Sequence, residues 1–527
     1  MGAEQPKAES RADEVSHEEV ELAPCALPLS TEEAERQRRA FSCCQAAVVM
    51  STFLVAIIVA VFVFAPSMVS LFASTEGQAL SCFLAPPDVP LAEMHAEIRQ
   101  LLLEQYFSGK QGAILMDGAI VTYRYDTDVE QGFRQESNFL YVTGYDQPNA
   151  TVLIDLASRK TMLFVPLRPK DYAIWNGQIE SLDDIRIEYA MDEVYYYENL
   201  TAIMSDLAGA TQGTYTIFTL NEHTEFPDKE AYTVDSAYLQ PAIYGRRELK
   251  TDFELELMRY SANVSAHAHE LVMNMTQPGE YEYNVEGTFV SGCMDCGLTI
   301  QAYLPICASG NNSAILHYNA NDREMLDGDL LLIDAGAEYH GYGTDITRSY
   351  PVNGAYSVDQ AQVYNMVLRI QAGVIASLYD GMPWGDIQDN CVTYTCEELR
   401  NQGFITADLA TCRSERVYYL FFPHGVSHYI GLDVHDRSGI ASGGTLLARN
   451  VITVEPGIYF NSALLEPALA NPAEAQYLVA DKIQPFLDEE FGGVRIEDVV
   501  VIHESSVEVI SNLAPKTIQH IEWIMNN

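Results

Sequence analysis

The sequence predicts an α/β chain, more fully α+β, with two globular domains preceded by one transmembrane helix. Three observations carry that reading. The chain has 527 residues and is 48% hydrophobic, enough material for at least two cores. Short apolar runs of strand length are interspersed with longer stretches of helical spacing. One segment, Ala46–Ala65, runs for twenty residues without a charge.

Residues 1–45 are acidic and lack periodic apolar spacing, the pattern of a flexible cytosolic tail. Ala46–Ala65 is long enough to cross a bilayer, and its uniform apolarity speaks against a buried core helix. It is also longer than a signal-peptide core and starts well inside the chain, which favours an uncleaved anchor. Arg36, Arg38 and Arg39 precede it, and no positive residue follows until Arg99. The positive-inside rule then leaves the N-terminus in the cytosol and places the bulk of the chain in a lumenal or extracellular space. Five N-x-S/T sequons, at Asn149, Asn199, Asn263, Asn274 and Asn311, fit that placement. Residues 66–91, with the string APPDVP, read as a linker.

A mixed α/β domain spans 92–248, with strands expected at Ala113–Met116, Thr151–Ile154 and Met162–Val165. A second domain, 249–527, opens on a helix over Asp252–Met273. It continues with strands at Asp329–Asp334, Val451–Val454 and Val494–Ile502, and a helix over Val358–Tyr379. No internal repeat interrupts this order.

A formal net charge of −44 disfavours nucleic acid and anionic lipid surfaces, since both repel it. Of the ten cysteines, Cys25, Cys43 and Cys44 lie before the apolar segment, which leaves an odd number beyond it. Cys293 and Cys296 form a C-x-x-C, but no second pair completes a zinc site, so a structural or disulfide role is expected.

The chemistry concentrates after Asp329. The run GDLLLIDAGAEYHGYGTDITRSYPV predicts two strands joined by a turn near Gly341, carrying Asp334 and Asp345 in apolar surroundings. Buried carboxylates need a cation, a hydrogen-bond network or a proton. FFPHGVSHYIGLDVHD places His424, His428 and His435 close together, and VITVEPGIYF puts Glu455 at the end of an apolar strand. In GGVRIEDVVVI, Glu497 and Arg495 are two apart, so both point to one face, and the arginine can fix the carboxylate's orientation. Four carboxylates and a histidine suit hard or borderline divalent ions such as Mn²⁺, Co²⁺ or Zn²⁺. Five ligands exceed what one catalytic ion with open positions needs and suit two ions sharing carboxylates.

The strings DAGAEY, TDITRS, HGVSH, DVHD, TVEPGIYF and GVRIEDVVV, in that order, resemble the pita-bread metallopeptidases, above all the Xaa-Pro dipeptidase (prolidase) family, with aminopeptidase P as its close relative. FRQESNFLYVTGY, LFVPLRPKDYAIWNGQIES, RELKTDFELELMRY and SGNNSAILHY extend the likeness over roughly 92–525. The resemblance implies a creatinase-like N-terminal domain followed by a pita-bread catalytic domain. It also implies hydrolysis of the Xaa-Pro imide bond by a hydroxide bridging two divalent metals, Mn²⁺ before Co²⁺ or Zn²⁺. Asp334, Asp345, His428, Glu455 and Glu497 would be the ligands, with Asp345 and Glu497 bridging and Glu455 also the general base. His317, His424 and His435 would steady the substrate carbonyl and pass the proton to the leaving nitrogen. Arg495 belongs with this catalytic set, Tyr303 would lie beside the metals, and Trp175 would reach the site from the N-terminal domain. The family's dimers imply a homodimer, and the substrate would be a proline-containing dipeptide or short peptide.

The insert NSALLEPALANPAEAQYLVADKIQPFLDEEF resembles the dipeptidases. The stretch from His435 to Glu455 is shorter than theirs and lacks the loop whose arginine grips the proline carboxylate, a role left to Arg437 or Arg449. Aminopeptidase P action on longer peptides is the alternative. A binding protein that has lost its ligands and a creatinase-type amidinohydrolase are both opposed by the intact ligand set.

Overall fold

The computed structural model describes residues 84–211, 214–221, 225–436 and 444–527. After a helix over Leu91–Tyr106 come six strands: β1 (Gly112–Asp117), β2 (Thr151–Asp155), β3 (Thr161–Val165), β4 (Glu193–Tyr196), β5 (Thr216–Phe218) and β6 (Thr233–Asp235). They form one mixed sheet in the order β4-β3-β2-β1-β5-β6. Leu115 of β1 faces Leu153 of β2, which faces Met162 of β3, all in antiparallel register. The period of two divides the side chains cleanly. Ile114, Met116, Val152, Ile154 and Leu163 join Ile98 and Leu102 of the opening helix. Ala113, Leu115, Leu153, Met162 and Phe164 instead pack with Leu200 and Met204 of the helix Leu200–Ala210. Strands covered on both faces read as unbroken apolar runs, which is why these three were visible in the sequence.

The helix Asp252–Met275 begins where Thr251 and Glu254 cap each other's backbone N–H groups. Beyond it lie β7 (Ile300–Gln301), β8 (Ile306–Ser309), β9 (Leu330–Asp334), β10 (Ala337–Tyr339), β11 (Tyr342–Gly343) and β12 (Thr347–Pro351). Then come β13 (Val451–Val454), β14 (Gly457–Tyr459), β15 (Gly493–Arg495), β16 (Asp498–Ile502) and β17 (Val507–Val509). β9 pairs antiparallel with β8 and β12, with Thr347 opposite Asp334. The turn expected near Gly341 exists, but it joins the short hairpin β10–β11. His340 and Gly341 both take positive φ there, 49° and 84°, as a two-residue hairpin turn of the right twist requires. A Cβ on Gly341 would also come within 2.6 Å of Leu140.

The strand expected over Val494–Ile502 is broken. β13 pairs with β16 from Val451–Val501 to Val454–Asp498, and the ladder resumes as β14–β15 at Gly457–Arg495. Glu455 and Glu497 sit in the interruption. β12 lies alongside, with Glu497 N donating to Thr347 O at 3.1 Å. Behind these strands the fully buried Arg348 and Asp498 pair at 2.8 Å. Helices Asp252–Met275, Glu282–Asp295, Val358–Ser377 and Trp384–Asn401 cover the strands around a core that includes Val264, Phe289, Ile333, Val367, Phe404 and Val454.

Two expectations are corrected. The fold class loses its transmembrane helix, and with it goes the single-pass placement with a lumenal or extracellular catalytic domain. Among the described residues no helix is long and apolar enough to cross a membrane. The longest, Asp252–Met275, carries Asp252, Glu254, Glu256, Arg259 and Glu270. Ala46–Ala65 lies outside the described residues. Cys293 and Cys296 do not join each other: Cys293 is a buried free thiol and Cys296 is disulfide-bonded elsewhere. A disulfide does tie Cys396 to Cys412, linking the helices Trp384–Asn401 and Leu409–Ser414.

Arg259 in the helix Asp252–Met275 grips Glu508 of β17 with Nε at 2.9 Å and Nη2 at 2.8 Å, and His503 adds a contact at 2.9 Å. Hydrogen bonding from Arg259, above all, lowers the Glu508 carboxyl from its ordinary 4.5 to about 2. A depressed carboxylate stabilises the fold above its unfolded pKa, and that stabilisation disappears as pH falls toward the folded value. Glu508→Gln is therefore expected to cost about 1 kcal/mol at neutral pH, a figure reduced for solvent screening. Urea titrations of both proteins should show the gap narrowing as pH drops below about 4.5.

Candidate metal centre

Asp334 ends β9, and Asp345 lies just before β12, so the β9–β12 pairing brings both carboxylates to one place. Tyr303 clasps them, its hydroxyl donating to Asp334 Oδ1 at 2.6 Å and to Asp345 Oδ1. The broken β13–β16 ladder delivers Glu455 and Glu497 from opposite strands. His428 comes from the segment after Pro423, held against β13 by Thr453 N donating to His428 O at 2.9 Å. Its Nε2 lies 3.5 Å from Asp345 Oδ2, 3.4 Å from Glu455 Oε1 and 3.9 Å from Glu497 Oε1.

These separations exceed an ordinary hydrogen bond, and Glu497 Oε1 is buried with no hydrogen-bond partner. Asp345, His428 and Glu497 each offer one ligand atom, all within 4.8 Å of one another. Ligands held at about 2.1 Å from one ion stand roughly 3–4 Å apart, so the set fits a shared divalent cation. Asp334 is engaged differently: Arg495 Nη2 donates to its Oδ2. Arg495 Nε also donates to Thr347 Oγ1, and Nη1 to the Tyr459 hydroxyl, both at 3.1 Å.

A cavity of about 360 Å³ opens over these groups, lined by His317, His424, His428, His435, the four carboxylates and Arg495. His317 and His435 are solvent-exposed. His424 lies deeper, with Nε2 3.0 Å from the Tyr459 hydroxyl. Of the residues singled out in the sequence, Trp175 and Arg449 stay away from the cavity, and Arg437 lies outside the described residues. Trp175 is 83% exposed on the short helix Tyr172–Asn176.

Residues 256–504 match the metallopeptidase family M24, and residues 95–218 match the aminopeptidase P N-terminal domain. The chain is 35% identical to the Xaa-Pro dipeptidase of Homo sapiens over 469 residues, 83% of this chain and 94% of the human one. It is 31% identical to the probable Xaa-Pro aminopeptidase of Aspergillus niger, covering 82% of this chain and 96% of that one. The structure of Pseudomonas aeruginosa aminopeptidase PepP superposes with a TM-score of 0.72 at 29% identity, over 82% of this chain and 98% of that one. Zn-substituted E. coli aminopeptidase P in complex with product gives 0.69 at 27%, over 84% and 99%.

This chain belongs to metallopeptidase family M24.

For an M24 peptidase, which works with divalent metal ions, the electrostatics of the site are instructive. Burial, followed by the neighbouring Asp345, raises Asp334 to about 6. Burial likewise lifts Glu455 to about 7, and Glu497 well above the carboxylate range. For Asp345 burial pushes the same way but is outweighed by His428, and the net shift is downward. Burial lowers His428, yet Asp345 and Glu455 overcome it and hold the imidazole up at about 9. His424 goes the other way, to about 3, through burial and the Arg495 charge. Without a metal the protonated His428 and Arg495 are the cations facing this acidic cluster.

Thr347 and Tyr459 escaped the sequence reading. Thr347 Oγ1 donates to Glu497 Oε2 at 2.7 Å, and Tyr459 joins His424 to Arg495. The period-two argument applied to Arg495 and Glu497 would have found both, since Thr347 is two residues beyond Asp345 and Tyr459 four beyond Glu455.

A carboxyl raised by burial destabilises the fold increasingly as pH climbs past its unfolded pKa. Glu497→Gln is therefore expected to raise the Tm of the metal-free protein at neutral pH, by an amount that shrinks toward about pH 4.5. Differential scanning fluorimetry after chelation, across that range, checks it.

Proposed function

We propose that the chain is a Xaa-Pro dipeptidase that hydrolyses the bond before proline with two divalent ions, Mn²⁺ first among them. The convergence of Asp345, His428 and Glu497 beneath a cavity edged by histidines carries this reading. Kinship with the human dipeptidase supports the substrate class. In this reading Asp334, Asp345, His428, Glu455 and Glu497 would hold the ions. When bound, the ions supply Lewis-acid polarisation and activation of water. Glu455 would serve as the general base beside the ions. His317 and His435 face the substrate from the rim, and His424, kept neutral and linked to Tyr459, steadies the carbonyl side. Arg495 orients Asp334, and Tyr303 spaces Asp334 from Asp345.

The bond itself explains a dedicated enzyme. A prolyl nitrogen carries no N–H, so proteases that clamp an extended backbone through that group lose their hold.

One observation favours aminopeptidase P as the second reading. Arg449 is engaged away from the cavity, 3.0 Å from Lys250 O and 2.9 Å from Asp252, and Arg437 lies outside the described residues. Among the described cavity-lining residues the one arginine is Arg495, already committed to Asp334 and Tyr459. A free proline carboxylate therefore finds no uncommitted arginine or lysine among them.

The extreme exposure of Trp175 and its neighbour Ile174, at 83% and 76%, supports a homodimer in which Trp175 serves the partner's site. The division of the chain at 248/249 is likewise proposed, supported by the self-contained six-stranded sheet before it.

Loaded with Mn²⁺, the full chain is expected to release proline from Gly-Pro, and chelator or Asp345→Asn to lower kcat/KM on the order of 10³-fold or more. Cleavage of a longer Xaa-Pro peptide without Gly-Pro turnover would select aminopeptidase P. No turnover of either by metal-bound protein would overturn both.

A further inference from the structure

Several observations meet at Gln371, which is fully buried in the helix Val358–Ser377. Its Nε2 donates to Val454 O at 3.2 Å, to Ile496 O at 3.1 Å and to Asp498 Oδ2 at 3.1 Å. Val454 and Ile496 are the residues immediately before Glu455 and Glu497. They flank the place where the β13–β16 ladder stops and β14–β15 has yet to resume. Interruptions of this kind re-aim the side chains they carry. The carbonyl end of the same amide, Oε1, is buried with no hydrogen-bond partner. Only the nitrogen end can face three acceptors, so the orphaned oxygen is the cost of this orientation. An apolar residue of the same length would pack here without that cost, but it would leave the two strands untied at their break.

We propose that Gln371 is a positioning residue: by tying the carbonyls of Val454 and Ile496 to one nitrogen, it sets the separation and aim of Glu455 and Glu497. The proposal rests on reading those two glutamates as metal ligands. Gln371 does not line the cavity and acts through the two strands.

The test uses the full chain, stripped by chelator and titrated calorimetrically with Mn²⁺ alone. Gln371→Met keeps the length of the side chain and removes the donor. It is expected to weaken Mn²⁺ binding about 10–100-fold, the usual effect of losing a group that orients a ligand. After saturation with Mn²⁺, kcat on one Xaa-Pro peptide should fall more than KM changes. Gln371→Asn, which draws the amide back by one methylene, is the second variant and is also expected to weaken binding. Val374→Ala opens a cavity in the same helix and serves as the control, expected to lower Tm while leaving Mn²⁺ affinity unchanged. Wild-type affinity in both Gln371 variants, or an equal loss in Val374→Ala, overturns the proposal. Failure of the wild-type chain to bind Mn²⁺ overturns instead the ligand reading beneath it.

Discussion

The buried pair Arg348–Asp498 is the interaction on which the rest of the catalytic half depends. Each residue directly follows a residue of the site, Thr347 on β12 and Glu497 at the head of β16. Because side chains alternate along a strand, fixing the pair behind the strands fixes Thr347 and Glu497 in front of them. Arg348 also donates to the carbonyls of Thr347, Glu497, Ala514 and Pro515, so its donors are well used. Asp498 accepts from Arg348, Lys516 and Ser511 as well as Gln371. Burial alone would raise its carboxyl, but these cations outweigh it and keep it below the usual range. Removing one partner of such a pair costs about 3–5 kcal/mol, because a buried charge is left uncompensated.

On the other face of the same strands the balance of charge is reversed. Four carboxylates line a small cavity with one arginine and four histidines, of which His428 is held up at about 9. Burial draws two of the acids up to about 6 and 7, and raises Glu497 as well. Structural ion networks normally end in compensation, as at Asp498. An excess of acid beside an opening, with an orphaned oxygen, is the arrangement expected where a cation is to be received.

Much of this was legible in the sequence for physical reasons. Strands β1–β3 are covered on both sides and show as continuous apolar runs. The helix starting at Asp252 is announced by its capping box. Asp334, Asp345, His428, Glu455 and Glu497 stand out because acids and a histidine are costly in apolar strands. The break in the last long strand was not recognised, although Glu497 and Asp498, poor strand formers, sit at it; pairing with β13 and β14 reveals the interruption. Thr347 and Tyr459 passed unremarked as ordinary strand residues, although their even spacing from Asp345 and Glu455 marked them. Trp175 could be recognised but not placed, since its side chain points to solvent within one chain. The apolar stretch Ala46–Ala65 lies outside the described residues, among which no helix is long and apolar enough to cross a membrane.

The N-terminal half is more than a neighbour of the site. His435 rides on the stretch Gly431–Asp436, its ring edge-on to His428 at 4.5 Å. That stretch is fastened from the other half of the molecule. Arg247, 2% exposed, donates to Asp433 at 2.6 Å, contacts Asp436 at 2.8 Å and reaches Asn138 at 2.9 Å. Ser137 donates to Asp433 at 2.6 Å, and Arg134 donates to Leu432 O at 2.5 Å. Gly343 N meanwhile donates to Gly431 O at 2.8 Å, closing the loop onto the hairpin beside Asp345. The exposed imidazole at the rim therefore inherits its position from a buried charge cluster that neither half could form alone. Changes in helix Ser137–Thr143 or around Arg247 reach the chemistry through that loop, although none of those residues lines the cavity.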